Sequence, residues 1–204
     1  NNEYIVIVTV TDSESNTDSQ TLTVIVTDVN EFTPVITSNS AGSTASISFA
    51  ENNSAAVTTV TSTDEDGDTP TYSKSGTDAD DFTLGSGSGV LTFTSTPNFD
   101  IPHDSDTNNI YVVQVQVSDG TNTDTQTITV SILDVNEFTP VITSDVGGST
   151  ASISNYAENS TSAVTTVTST DGDVPSTATY TIIGGTDASD FTLGSSGVLT
   201  FTSA

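Results

Sequence analysis

The chain of 204 residues contains no cysteine, methionine, tryptophan or arginine, and Lys74 is its one basic residue other than a lone histidine. Without cysteine it can form no disulfide, thiolate nucleophile or zinc–thiolate site. Against this single lysine stand 27 acidic residues, giving a formal net charge of −26. Because binding to phosphate groups needs clustered lysines and arginines, we expect no nucleic-acid partner and no attraction to anionic membranes.

Long apolar runs are also missing. No run approaches the roughly 20 residues that span a bilayer, so we expect no membrane insertion. No signal peptide is visible, and the segment is interpreted as mature or internal. The one histidine, His103, lies in the polar loop PHDSD, where a solvated role is the expectation. Since a catalytic histidine must be held by a rigid scaffold, the sequence predicts that the chain is not an enzyme.

Strand patterns fill the chain between short acidic clusters. Ser and Thr together number 71, and Val, Ile and Thr alternate regularly. In residues 111–118, apolar Tyr111, Val113, Val115 and Val117 alternate with mostly polar neighbours, which predicts a strand with one buried face. Over residues 34–139, the pattern predicts seven strands and hence a β-sandwich. The predicted strands lie near 34–49 (split), 55–63, 70–74, 81–84, 90–94, 110–118 and 124–133.

The whole chain is a tandem array of one unit of about 106 residues. DVNEFTPVIT occurs at 28–37 and 134–143, AEN occurs at 50–52 and 157–159, and GTDA occurs at 76–79 and 185–188. The hairpin sequence at 4–12 likewise parallels 111–119. We therefore predict the last third of a unit at 1–33, a complete unit at 34–139, and the first two-thirds of a unit at 140–204.

Units of this length joined by DxNE and a following proline, with AEN and TDxD further on, resemble the cadherin repeat. Both DxNE segments, at 28–31 and 134–137, stand in phase with the other two motifs. The resemblance covers the whole chain. It implies an all-β fold of tandem seven-stranded Greek-key β-sandwiches of cadherin or immunoglobulin-like type. It also implies an extracellular or cell-surface location.

The acidic linkers suit calcium. Ca²⁺ takes six to eight oxygen ligands from carboxylates, amides and carbonyls. DVNE offers carboxylate, amide and carboxylate oxygens in an extended segment, and Pro34 and Pro140 stiffen the exit from each linker. Carboxylates crowded together repel one another unless a cation joins them. We therefore expect Ca²⁺ as the cofactor at both linkers.

The resemblance also implies which residues bind. For the second linker, the preceding unit, the linker and the following unit should together supply Glu51, Asn98, Asp100, Asp134, Asn136, Glu137, Asp171 and Asp173. Asn98 departs from the acid that the family carries there. For the first linker the upstream pieces are absent, and fewer or weaker ions are expected. Its implied ligands are Asp28, Asn30, Glu31, Asp64, Asp66 and Asp119.

The two partial units are nearly complementary, so one chain could complete another. Residues 1–33 would supply the last two strands that residues 140–204 lack, by head-to-tail strand addition between chains. Asp12 would then take the position of Asp119 and join the second calcium site of the next chain. Ile5, Ile7 and Ile25 are expected on one outer face, where an apolar patch indicates an interface. The alternative is that neighbouring repeats of a longer protein complete both ends.

These observations favour a calcium-rigidified extracellular structural module serving cell-surface adhesion, a biofilm matrix or a surface filament. Its expected partners are other copies or neighbouring repeats. The alternative function is a carbohydrate- or ligand-binding adhesin domain that contacts a surface glycan. Such sites need exposed aromatic rings, whereas most of the aromatic residues here fall at inward positions of the repeat.

Overall fold

The computed structural model describes residues 2–173 and 177–203. The chain packs as two compact units. One comprises Asn1–Ser48, Ser54–Thr96 and His103–Ser131, and the other comprises Phe49–Asn53, Pro97–Pro102 and Ile132–Ala204. Within the described ranges, no helix is long and apolar enough to cross a membrane. The unit boundaries predicted from the repeats, 33/34 and 139/140, stay predictions.

The regular elements of the described residues are strands and three short 3₁₀ turns, as expected for an all-β fold. A hairpin, β1 (Glu3–Thr11) and β2 (Thr17–Ile25), precedes the complete repeat. The strands of the complete repeat are β3 (Val35–Ile36), β4 (Thr44–Ala50), β5 (Thr58–Thr59), β6 (Ser62–Thr63), β7 (Thr71–Ser75), β8 (Phe82–Leu84), β9 (Val90–Phe93), β10 (Ile110–Ser118) and β11 (Thr123–Leu133). The last part contains β12 (Val141–Ile142), β13 (Thr165–Thr166), β14 (Ser169–Thr170), β15 (Phe191–Leu193) and β16 (Val198–Phe201).

Each predicted strand of the complete repeat is present, and the first two are split into β3/β4 and β5/β6. One sheet has the order β4-β11-β10-β7, and β5-β9-β8 and β3-β6 form the other sheet segments. The central hairpin is antiparallel, with Tyr111 opposite Val130 and Val113 opposite Ile128. The predicted β-sandwich fold class is thus confirmed.

The core of the complete repeat follows from strand alternation. On β10 every second residue is buried, from Tyr111 to Val117, while the residues between them remain half-buried. Ile128 and Val130 on β11 are fully buried, as is Leu91 on β9. Two stacked sheets with apolar inner faces produce this pattern because successive side chains of a strand point to opposite faces.

Aromatic rings close one end of this core. Phe82 and Phe93 are tilted at 30° with centroids 4.5 Å apart. Tyr111 meets both rings edge-on, at 6.0 Å and 5.0 Å. Such contacts add to the burial of the rings. These rings are therefore engaged in packing, as expected for core residues, and the glycan-binding alternative stays an untested prediction.

The β1–β2 hairpin differs from its counterpart β10–β11 in burial. Tyr4 pairs with Val24 and Val6 with Leu22, which reproduces the register of β10 and β11. Seven apolar side chains of the hairpin correspond to core residues of β10–β11, and they are 41–67% exposed. The seven corresponding residues of β10–β11 are at most 4% exposed. The seven hairpin residues are Tyr4, Val6, Val8, Val10, Leu22, Val24 and Val26.

The outer face of the hairpin carries the three isoleucines expected there. Ile5 and Ile7 lie on one face with Ile25, because Ile25 pairs with Glu3 in the antiparallel register. All three side chains are exposed. The opposite face of the hairpin corresponds to the buried face of β10–β11, and its seven apolar side chains form a larger surface than this patch. The hairpin therefore presents two exposed apolar faces.

We expect Ile128→Ala to lower the free energy of unfolding by about 2–5 kcal/mol, because it leaves a cavity in a fully buried site. Ile7→Ala removes a similar side chain from an exposed strand face and should cost less than about 0.5 kcal/mol. Both variants would be compared by denaturant unfolding in chelator at dilution. Equal losses for the two variants would contradict the placement of the core.

Candidate cation sites at the two linkers

The second linker follows β11 and gathers carboxylates from three segments. Glu51 follows β4, Asp100 lies in the loop after β9, and Glu137 belongs to the linker itself. Oxygen atoms of these three side chains lie within 4.8 Å of one another. We call them, with Asp134, Asp171 and Asp173, the second-linker cluster.

Glu51 fixes the geometry of this cluster. Its side chain is 2% exposed, and its two oxygens accept hydrogen bonds from the backbone N–H of Phe99, at 2.8 Å, and of Val135, at 2.9 Å. Its own N–H donates to the carbonyl of Leu133. These two donors satisfy both oxygens of the buried carboxylate. Glu51 thereby ties the loop that carries Asp100 to the start of the linker.

Asp173 fixes the other end of the linker. This buried carboxylate accepts hydrogen bonds from the backbone N–H groups of Glu137 and Phe138, each at 3.0 Å. Asp171 accepts a bond of 3.3 Å from the N–H of Asp173, which closes a short turn. The TDGD motif therefore binds the linker backbone, as well as placing Asp171 beside it.

Mutual repulsion marks the second-linker cluster. Loss of hydration, followed by the charges of Glu51, Asp134 and Asp173, raises the pKa of Asp100 above its ordinary value. Loss of hydration and the charges of Glu51, Asp100 and Asp173 likewise raise the pKa of Glu137, and a hydrogen bond from Asn52 opposes this shift. Like charges held this close repel one another, and a bound cation would relieve the repulsion.

The backbone of the first linker is held by the same kind of carboxylate hydrogen bonds. Asp66 Oδ2 accepts hydrogen bonds from the N–H groups of Glu31, at 3.1 Å, and Phe32, at 2.8 Å. Asp64 Oδ1 accepts a bond of 2.8 Å from the N–H of Asp66. Asp64 and Asp66 thus correspond to Asp171 and Asp173. Their repeat-equivalent positions and bonds show that both linkers are held by one arrangement.

The surroundings of two carboxylate oxygens at the first linker indicate whether a cation fits there. Asp64 Oδ2 and Asp119 Oδ2 are buried, and no residue in the described part of the chain gives either of them a hydrogen bond. The other oxygen of Asp119 accepts two bonds of 2.6 Å, from Thr121 and Asn122. A buried carboxylate oxygen without a donor is costly unless a cation is its partner. The residues present therefore fit a bound cation.

Side-chain amide groups form hydrogen bonds between the loop that carries Asp119 and the first linker. Burial acts to raise the pKa of Asp119, but the hydrogen bonds from Asn122, Thr121 and Asn30 hold it below the ordinary value. Asn30 donates to the Asp119 carbonyl at 3.4 Å, and Asn122 donates to the Phe32 carbonyl at 2.8 Å. Asp119 consequently remains charged beside the linker.

Asp68 is a site residue that the motif comparison missed. Its carboxylate lies within 4.8 Å of those of Asp64 and Asp66. Loss of hydration and repulsion from Asp64, Asp66, Asp119 and Asp28 raise its pKa. The alternating acids of TDEDGD were the available signal. The matching position of the second linker carries proline, and this hid the third acid from a repeat-based search.

The remaining predicted ligands lie in the loop after β9, in the second linker and in the β1–β2 turn. Asn98 Oδ1 accepts a bond of 2.8 Å from the Ile101 N–H and shapes the loop that carries Asp100. Asn136 and Asp171 border one cavity of about 560 Å³. Asp12 closes the β1–β2 turn by accepting bonds from Glu14 and Asn16. As ligands, all the residues predicted from the sequence stay predictions.

Comparison with known proteins places this fold. Neither the family models nor the curated proteins contain a match. Among solved structures, a protocadherin gammaB7 EC3-6 cis-dimer matches 99% of this chain and 50% of its own length, with a TM-score of 0.69 and 21% identity. Human CDH23 EC21-23 matches all of this chain and 65% of its own length, with a TM-score of 0.69 and 20% identity. The human desmocollin-1 ectodomain matches 98% of this chain and 40% of its own, with a TM-score of 0.64 and 20% identity.

These likenesses confirm the cadherin-like repeat that the sequence motifs predict. The chain has the fold of tandem cadherin extracellular repeats, and it spans about half the length of the protocadherin segment. Its fold is therefore that of all-β tandem repeats, here joined by acidic linkers.

In chelator, we expect the pKa of Asp100 to lie above the ordinary aspartate value, because its carboxylate loses hydration and its neighbours are anionic. Saturating calcium should move that pKa below the ordinary value, since a bound cation favours the charged form. Carboxyl carbon NMR measures both values, and Asp80, which lies outside both linkers, serves as the reference signal. An Asp100 pKa that does not respond to calcium would contradict the assignment.

Proposed function

We propose that this chain is a structural, calcium-binding module of an extracellular adhesion-type protein. The observation that carries the proposal is the gathering of three carboxylates at each of two repeat-equivalent linkers. Calcium suits this chemistry because it accepts many oxygen ligands in flexible geometry. The fold supports the coarser assignment, since the similar structures are cadherin ectodomains.

Calcium would act by removing hinge freedom. Without a cation, the carboxylates on the two sides of a linker repel, and the linker gains freedom by separating them. A cation held by Glu51, Asp100 and Glu137 would join the preceding repeat to the linker. The six carboxylates of the second-linker cluster would balance the charge of three calcium ions.

At the first linker, the cation would be held by Asp64, Asp66 and Asp68, with Asp119 and Asp28 beside them. Two of these carboxylates, Asp64 and Asp119, have a buried oxygen that lacks a donor. The presence of Asp68 raises the anionic charge of this linker above that expected from the sequence motifs. We therefore propose a first site stronger than the sequence predicts.

The function would be mechanical and not enzymatic. Stiffened repeats would extend a protein from a cell surface, in a biofilm matrix or along a surface filament. Modules of this kind bind calcium with Kd of about 10⁻⁴–10⁻³ M, so millimolar calcium would keep the linkers filled. The net charge of −26 suits such a setting because it keeps the surface soluble. Self-association of copies is the proposed partner interaction.

Calorimetric titration with calcium tests the proposal. Asp68→Asn and Asp100→Asn each remove one carboxylate that accepts no backbone hydrogen bond from the described residues, so neither should disturb the fold. We expect each variant to weaken one class of calcium sites about tenfold, because affinity follows the number of charged ligands. The two variants should affect different sites.

The matched control is Asp80→Asn, which removes an equal charge away from both linkers. Its calcium isotherm should superimpose on that of the unchanged chain. If the control weakens binding as much as the linker variants do, the chain binds calcium as a diffuse polyanion, and the linker sites are wrong. Absence of saturable binding at millimolar calcium has the same consequence.

A further inference from the structure

Glu137 of the second linker is hydrogen-bonded through both its backbone and its side chain. Its N–H donates to Asp173 at 3.0 Å, and its Oε2 accepts a bond of 2.6 Å from Nδ2 of Asn52, in the turn that follows β4. Glu137 therefore contacts a segment that precedes the linker and a segment that follows it. Asn52 acts on a carboxylate of the second-linker cluster without adding a carboxylate to that cluster.

The backbone of Glu137 is held from the side of the last repeat. Besides the bond to Asp173, the N–H of the next residue, Phe138, donates to the same carboxylate at 3.0 Å. The Phe138 ring lies against Gly172, where a Cβ would come within 2.7 Å of two ring carbons. A side chain at this position would displace the ring, so the linker backbone is packed as well as hydrogen-bonded. The freedom that remains to Glu137 is that of its side chain.

The side chain of Glu137 is exposed, and its neighbours repel it. Oxygen atoms of Glu137, Asp100 and the buried Glu51 lie within 4.8 Å of one another. An exposed glutamate changes rotamer readily, and repulsion from two other anions favours rotamers that turn away from them. The bond from Asn52 opposes this movement. Because its acceptor is charged, such a bond is about twice as strong as one between neutral groups.

Asn52 is itself held in a fixed turn. Its N–H donates to the carbonyl of the buried Pro97 at 2.9 Å, and the N–H of the preceding Glu51 donates to the Leu133 carbonyl at 3.0 Å. The backbone of Asn52 is left-handed, with φ of +57°, a conformation in which asparagine is enriched. The amide is thus presented to Glu137 from a backbone that two hydrogen bonds keep in place.

The bond from Asn52 leaves Glu137 able to bind a cation. A carboxylate has about four lone-pair positions, and the amide occupies one of them. The amide nitrogen faces Glu137, because the amide oxygen would be repelled by the carboxylate. A nitrogen of this kind is a donor and does not bind a cation. Asn52 therefore acts on the position of Glu137 and not on the cation directly.

We propose that Asn52 is a positioning residue of the second-linker calcium site, a role that rests on the proposed function. In the absence of calcium, its amide holds the Glu137 carboxylate beside Glu51 and Asp100. The same bond persists when calcium binds. The site is thereby preorganised, because the carboxylate does not have to be brought back against repulsion when the cation arrives. A neutral side chain thus sets part of the calcium affinity of the linker.

Asn52→Gly tests the proposal, because glycine keeps the left-handed turn and removes only the amide. Calcium titrations of the full chain are followed by the NMR shifts of two backbone N–H groups, that of Val135 for the second linker and that of Phe32 for the first. We expect the variant to weaken calcium binding about five- to tenfold at the second linker, as for loss of one hydrogen bond to a charged group. Binding at the first linker should be unchanged.

The matched control is Asn159→Gly. Asn159 is the counterpart of Asn52 in the last repeat, it is exposed, and its φ is +59°. Within the described ranges, its amide donates to no carboxylate of either linker. The control should therefore titrate like the unchanged chain at both linkers. Equal weakening by the two glycine variants would overturn the proposal, because the turn and not the Asn52 amide would then be responsible.

A double-mutant cycle with Glu137→Ala separates positioning from a purely structural role. Once this carboxylate is removed, Asn52 has nothing to hold at the site. Asn52→Gly should then cause no further loss of calcium affinity in the Glu137→Ala background. If Asn52→Gly weakens binding by the same factor in both backgrounds, Asn52 acts through the fold alone, and the positioning role is wrong.

The side-chain N–H₂ signal of Asn52 reports the bond directly. The signal is assigned by its loss in Asn52→Gly. It should show a hydrogen-bonded proton in chelator and in saturating calcium, and it should move to the shift of a free amide in Glu137→Ala. If calcium alone moves it to the free shift, or if Asn52→Gly tightens calcium binding, the amide competes with the cation and the proposal is overturned.

Failure of this proposal differs from failure of the proposed function. Asp100→Asn should weaken calcium binding at the second linker whether or not Asn52 positions Glu137. If Asp100→Asn weakens binding and Asn52→Gly does not, the linker site stands and the positioning role is wrong. If neither variant changes binding at the second linker, the calcium site itself is wrong, and the role of Asn52 is overturned with it.

Discussion

The constraint on which the structure depends is the placement of carboxylates against linker backbone. Asp66 and Asp173 each accept hydrogen bonds from two N–H groups of a linker. Glu51 accepts one from the second linker and one from Phe99 in the loop after β9. These bonds hold like charges together that would otherwise separate. A bound cation would relieve this repulsion, and this is the physical basis of the proposed link between neighbouring repeats.

The alternation of the strands also explains the core of the complete repeat. The β10–β11 hairpin covers the inner face of its sheet, and the result is a closed core of aromatic and aliphatic side chains. The β1–β2 hairpin keeps the same register, because the pairing of its two strands is local.

Strand alternation allowed nearly all of the fold to be predicted. The inward residues from Tyr111 to Val117 are those that the period of two selects, because one face of the strand is buried. The site was less accessible to sequence. Asp66 and Asp173 were recognised as acids, but their bonds to linker N–H groups depend on the folded turn. Asp68 escaped because comparison between repeats favours positions that both copies share, and its counterpart is proline.

The central claim, that calcium removes freedom between repeats, is tested most directly by a distance distribution. Spin labels at Thr83→Cys and Thr192→Cys occupy exposed, repeat-equivalent strands, and the chain has no other cysteine. Pulsed electron resonance should give a broad distribution in chelator and a narrow one in millimolar calcium. A distribution of unchanged width would contradict the account.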